Sequence, residues 1–178
     1  MAHIAIISGS PSKHSRLAGV LQLVKASLES DGWNVHWVNV RELPPEDLLH
    51  ARFDSPAIEE ARRGIEQAEG VIVATPVYKA SYTGLLKAFL DLLPQKGLAH
   101  KRILPIAIGG TIAHLLAIDY ALKPVLAALG ATTIDSGVYL VDSHVQAGED
   151  GTVQLDGESR DRLEDALRLF QNNIAPTR

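Results

Sequence analysis

Cysteine is absent from the 178 residues, which excludes disulfides and thiolate chemistry. No apolar run approaches the roughly 20 residues that a membrane span needs, so no membrane partner is expected. No charge dominates either: the formal net charge is −4, mildly acidic, with no basic footprint for nucleic acid. The seven histidines are scattered, without HxxxH or HxH spacing, so no metal site is expected. His14 and His114 read as solvated residues. No nucleophile elbow GxSxG occurs and no Ser/His/Asp order stands out. GxGxxG and the Walker lysine pattern are also missing. Acidic residues are lacking where the first apolar run ends, and no aspartate closes the third. Ser8-Gly9-Ser10 and Thr75-Pro76 stand there, which argues against a Mg²⁺-dependent phospho-acceptor.

What is present is a regular alternation of short apolar runs with helical periodicity. A hydrophobic content of 46% over this length supports one domain, 1–178, expected to be soluble and cytoplasmic. His3–Ile7 reads as a first strand. Leu17, Val20, Leu21, Val24 and Leu28 follow at helical spacing, stopped by Asp31-Gly32. Asn34–Val40 alternates, with Val35 and Trp37 opposite His36 and Val38, as in an edge strand. Leu43–Ser55 reads as an irregular connection. Ser55-Pro56 opens a helix to about Glu69, ended by Gly70. "VIVAT" (Val71–Thr75) is a continuous apolar run, the mark of a parallel strand buried on both faces. A helix over Ser81–Leu93, a strand over Arg102–Gly110, a helix over Thr111–Leu129 and a strand around Gly137–Val141 follow. The Gly- and acid-rich stretch Asp142–Asp156 reads as a mobile loop. A last helix carries Leu163, Ala166, Leu167, Phe170 and Ile174 on one side. The expected fold is α/β: a flavodoxin-like, doubly wound, five-stranded parallel sheet of order 2-1-3-4-5 with helices on both faces. Pro105 conflicts with a central strand, since it cannot donate to the ladder, and a local irregularity is expected there.

In such a sheet ligands bind beyond the carboxyl ends of the strands, at the switch in strand order. Three loops meet that condition. "GSPSKHSRL" offers Ser10, Ser12 and Ser15 with Lys13 and Arg16, at the start of a helix. Hydroxyls, helix N-terminal N–H groups and cations are what a phosphate needs. By itself the loop reads equally as an ordinary turn capped by Ser15. "TPVYKASYTG" places Pro76, Val77, Tyr78 and Lys79 beside the site, able to line a planar ring or to form a surface turn. "IGGTIAH" brings Gly109, Gly110 and Thr111, where backbone can approach a ligand closely and a helix N-terminus favours negative charge. No dedicated acid–base pair is evident and no residue is assigned a catalytic proton transfer. That suits cofactor-borne hydride chemistry, in which protein mainly orients the reactants.

Together "GSPSKHSRL", "PPEDLLHARFDSPA", "VIVATPVYKASYTGLLKAFLDLLP" and "GGTIAHLLAIDYALKPVLAALGA" resemble the NAD(P)H-dependent FMN reductase family, nearest to its sulfonate-utilisation members. The resemblance implies FMN phosphate on Ser10, Ser15 and Arg16, assisted by Ser12 or Lys13. The family pattern often has arginine where this chain has Ser12. The isoalloxazine ring is implied on Pro76 to Lys79 and on Gly110 and Thr111, with NADPH or NADH as hydride donor. It further implies release of reduced FMN to a two-component flavin-dependent monooxygenase acting on alkanesulfonates or related organosulfur compounds. Pro124 must disturb its helix, and the resemblance puts a π-type turn at Tyr120, at a subunit interface. Leu85, Leu86, Phe89, Leu93, Leu115, Leu116 and Ile118 are read as that interface, giving a homodimer or homotetramer. Two alternatives stand: a flavodoxin-type electron carrier, and a quinone or azo reductase with tightly held FMN.

Overall fold

The computed structural model describes residues 3–148 and 151–174. Strand β1 (His3–Ser8) is apolar on both sides, and both sides are covered. Ile4 and Ile6 pack with α1 (Arg16–Ser30) and α6 (Gly157–Asn172). Ala5 and Ile7 pack on the opposite face with α3 (Pro56–Glu66), α4 (Gly84–Leu90) and α5 (Lys123–Ala128). β3 (Gly70–Pro76) and β4 (Arg102–Gly109) are sandwiched in the same way, which is why their sequences are continuous apolar runs. β2 (Asn34–Asn39) pairs only with β1, and its alternation directs Val35 and Trp37 to the first face and Val38 to the second.

The sheet is parallel, in the order β2-β1-β3-β4-β5. The expected doubly wound arrangement is therefore present, with one refinement at its far edge. The fifth position is shared by β5 (Thr133–Ile134) and β6 (Val138–Val141), both paired to β4. β5 pairs with Arg102 and Ile103, and β6 with Ile106 to Gly109, so the ladder breaks opposite Leu104 and Pro105. That is the irregularity Pro105 demands: the edge opens at the residue with no N–H to donate. An Arg102–Asp135 ion pair and the Asp135 N–H bond to Ile103 O (2.8 Å) close the gap.

Several elements depart from the sequence reading. The connection Leu43–Ser55 holds a short helix, α2 (Pro45–Leu49), because Leu48 reaches the core. Ser55 does begin α3, but its hydroxyl donates to Asp47 Oδ2 (2.6 Å) instead of capping the helix. That helix ends at Glu66, and Gly70 is the first residue of β3. α4 starts three residues later than expected, at Gly84, with Thr83 as its cap. The stretch after Gly110 is not one α-helix. It is a 3-10 turn (Ile112–His114), then a π-helix (Ile118–Leu122) around Tyr120, where the resemblance implied a π-type turn, and then α5. Pro124 cannot supply the bond back to Tyr120 that an α-helix would require, and the coil just upstream is widened. Asp142–Asp156 is not simply a loop. β7 (Val145–Ala147) and β8 (Val153–Leu155) pair antiparallel, and Val145, Val153 and Leu155 are buried against α1 and α6. Glu149 and Asp150 of that stretch lie outside the described residues.

Asp156 ends the hairpin and caps α6, its carboxylate accepting from the Ser159 N–H at 2.7 Å. That bond, helped by His144 and Arg162, holds the carboxyl below the usual carboxylate range. A depressed folded pKa gives stability that is present above the unfolded pKa and lost as pH falls through the folded value. Asp156→Ala should therefore melt below the parent at pH 7. The two melting curves should converge as the pH is lowered past the normal aspartate range; a gap that persists unchanged in acid would show that the cap acts without its charge.

Candidate active site

The loops after β1, β3 and β4 leave neighbouring strands at the same sheet end. They are tied together by backbone bonds. Gly9 N–H donates to Ala74 O (2.8 Å) and Val77 N–H to Ile108 O (2.8 Å). Thr83, at the head of α4, donates its hydroxyl to Gly9 O (2.6 Å).

In the first loop Ser10 is buried, and its hydroxyl organises the turn. It lies 3.1 Å from Ser15 Oγ and 3.3 Å from the Ser12 carbonyl, and it accepts from the Ser12 N–H at 3.3 Å. Ser15 caps α1, accepting from the Ala18 N–H (3.1 Å). Ser12, Lys13 and His14 form an exposed rim. Arg16 is also exposed, but it is anchored: its Nε donates to Val145 O (2.8 Å) in the hairpin. Among the described residues neither Lys13 nor Arg16 is in an ion pair, so both cations face solvent uncompensated.

The second loop leaves β3 at Pro76 and doubles back. Tyr78 and Ser81 exchange two backbone bonds, 2.8 and 3.2 Å. Between them Lys79 (φ 50°) and Ala80 (φ 64°) both lie in the left-handed region, as a type I′ turn requires. Neither is glycine, so the turn carries strain of roughly 1 kcal/mol per residue. Tyr78 and Lys79 are exposed on it.

In the third loop a Cβ on Gly109 would stand 2.3 Å from the Tyr139 hydroxyl oxygen. Only glycine lets that phenol through to donate to Thr111 O at 2.8 Å. Burial and the nearby Asp142 push the Tyr139 pKa up, which keeps its proton on at neutral pH. Thr111 caps the 3-10 turn, its Oγ1 accepting from the Ala113 N–H (3.2 Å). Gly110 is exposed, with no protein atom closer than 3.9 Å to a Cβ placed there.

Sequence reasoning missed Thr83 and Tyr139. Thr83 had a readable signal, a Thr-Gly pair opening an apolar helix. Tyr139 had none: it reads as one more core residue of an apolar strand. Tyr120 is 80% exposed at the centre of the π-helix, with Ile112, Leu115 and Leu116 also exposed. Leu86, Phe89, Leu93 and Ile118, which the sequence assigned to an interface, are buried in the chain's own core. Among the described residues no His, Cys, Asp or Glu cluster could hold a metal, and no helix is long and apolar enough to cross a membrane.

Known proteins resemble this chain in sequence and in fold. An FMN reductase (NADPH) of Pseudomonas putida is 49% identical over 174 residues, 97% of this chain and 88% of that protein. An FMN reductase (NADPH) of Escherichia coli is 47% identical over 167 residues, 94% of this chain and 87% of that protein. The crystal structure of an NADH:FMN oxidoreductase in its apo form aligns with a TM-score of 0.89 at 36% identity, covering 99% of this chain and 92% of that one. The sequence profile described as NADPH-dependent FMN reductase matches residues 2–146. The chain belongs to the NADPH-dependent FMN reductase family: it is an oxidoreductase whose flavin is FMN and whose hydride comes from a reduced nicotinamide nucleotide.

Proposed function

We propose that this reductase treats FMN as a diffusible substrate and delivers it, reduced, to a two-component monooxygenase that desulfonates alkanesulfonates or related organosulfur compounds. The observation that carries the FMN assignment is the first loop. Lys13 within a serine turn and Arg16 just after it have no ion-pair partner among the described residues, the turn opens a helix, and a single terminal phosphate matches that donor set. Bound FMN supplies a ring that accepts hydride at N5 from the nicotinamide. The chain's residues bind and orient. Ser10, Ser15 and Arg16, with Ser12 or Lys13 assisting, would hold the phosphate. Pro76, Val77, Tyr78 and Lys79 line one edge of the ring, and the strained turn fixes their backbone before the ligand arrives. Gly110 and Thr111 present a backbone without bulk to the ring edge on which negative charge collects, with Gly109 behind them. Tyr120 and the exposed Ile112, Leu115 and Leu116 supply an apolar face on which copies of the chain would associate as a dimer or tetramer.

Steady-state oxidation of NADH and NADPH, with and without added FMN, tests this. The expected result is colourless purified protein whose turnover saturates with free FMN, and sulfite release when an alkanesulfonate monooxygenase is supplied. Yellow protein that turns over a quinone or azo dye without added FMN would replace the proposal with a reductase that keeps its flavin.

A further inference from the structure

Thr83 stands at the end of the second loop, at the head of α4, and its hydroxyl is bonded on both sides. It is 2% exposed. Its Oγ1 donates to Gly9 O at 2.6 Å and accepts from the Leu86 N–H at 3.1 Å, while its own N–H donates to Thr75 Oγ1 at 3.1 Å. Gly9 is thus held from both sides, by Thr83 at its carbonyl and by Ala74 O at its N–H. The next peptide plane follows. In a trans peptide the C=O and the following N–H point in opposite directions. With Gly9 C=O fixed toward the head of α4, the Ser10 N–H is turned away from α4. Among the described residues that N–H has no acceptor in the chain. A buried loop residue with a free, oriented donor is waiting for an acceptor from outside.

We infer that Thr83 is a positioning residue for the flavin phosphate: through Gly9 it aims the Ser10 N–H at a phosphate oxygen. This rests on the reading of the first loop as the phosphate cradle. It gives the protein a way to distinguish FMN from riboflavin, which is the same molecule without the 5′-phosphate, by a residue that touches neither.

The test compares kcat/KM for FMN and for riboflavin, taken from initial slopes where riboflavin does not saturate. Thr83→Val keeps the shape and removes the donor. It should lower the FMN-to-riboflavin ratio about tenfold, the scale on which a displaced binding group is felt. Thr83→Ser, which keeps the hydroxyl, should hold the ratio near the parent's. Should Thr83→Val fail to fold, Thr83→Ala against Thr83→Ser carries the same comparison. Equal loss for both flavins, or a serine variant as impaired as the alanine one, would overturn the inference, since Thr83 would then be only a helix cap. Arg16→Ala is measured alongside. If its ratio falls and that of Thr83→Val does not, the Thr83 role fails alone. If neither falls, the phosphate lies elsewhere and the cradle itself is wrong.

Discussion

Arg16→Ala should raise the apparent KM for FMN by about 10- to 100-fold, the equivalent of losing charge-assisted hydrogen bonds worth roughly 1.5–3 kcal/mol. Lys13→Ala should raise it only about two- to fivefold, as expected of an exposed, solvated charge. The difference lies in anchoring. Arg16 Nε is fixed to Val145 O at 2.8 Å, and Val145 is buried, so the outer guanidinium nitrogens are held in place before FMN arrives. Lys13 sits on the exposed rim with no bonded partner restraining it among the described residues. Its contribution should fade in added salt, whereas the short-range contacts of Arg16 should persist. Arg16→Lys keeps the charge and loses the fork, so it should behave more like the alanine variant than a conservative exchange would suggest. FMN titrations of the three variants at two ionic strengths decide this, and equal or reversed effects would hand the phosphate to Lys13.

Gly9→Ala should lower the thermal midpoint by about 5–10 °C, corresponding to roughly 2–3 kcal/mol of overpacking in a chain of this size. The added methyl would lie 2.6 Å from Leu86 Cβ and 3.3 Å from Ala74 O. Neither atom can swing aside, because a Cβ and a carbonyl move only with their backbones. α4 must shift, and the bond from Thr83 to Gly9 O is the first casualty, so FMN affinity should fall with stability. Gly84→Ala is the matched control. Nothing lies within 4 Å of a Cβ there, and the position opens α4, so the melt should hold or rise slightly. Calorimetric scans of both variants separate steric conflict from any general intolerance of alanine in this region.

The sheet was legible because burial on two faces leaves an unmistakable trace, as in Val71–Thr75, and because Ser15 carries its cap openly. The hairpin was hidden for the opposite reason. Three buried residues, Val145, Val153 and Leu155, are diluted by exposed polar neighbours, and pairing so short leaves no period to count. Coil geometry beyond Gly110 was only partly readable. Pro124 signals a disturbance but does not say whether the chain kinks or widens; the widening at Tyr120 was legible only through the family resemblance. In the site, the loops followed from strand order alone. The inner bonds did not, since Thr83 and Tyr139 act through backbone carbonyls 74 and 28 residues away in the sequence.

The divided far edge of the sheet has a consequence for assembly. A strand of two residues, a gap and a strand of four offer no uninterrupted row of backbone donors and acceptors to a foreign chain. Continuous edges invite strand addition and, with it, open-ended aggregation. Here Pro105 and the break it imposes blunt that route on one side of the sheet. If copies of this chain associate as proposed, that edge leaves the contact to helical surfaces, where it can close on itself and stop growing.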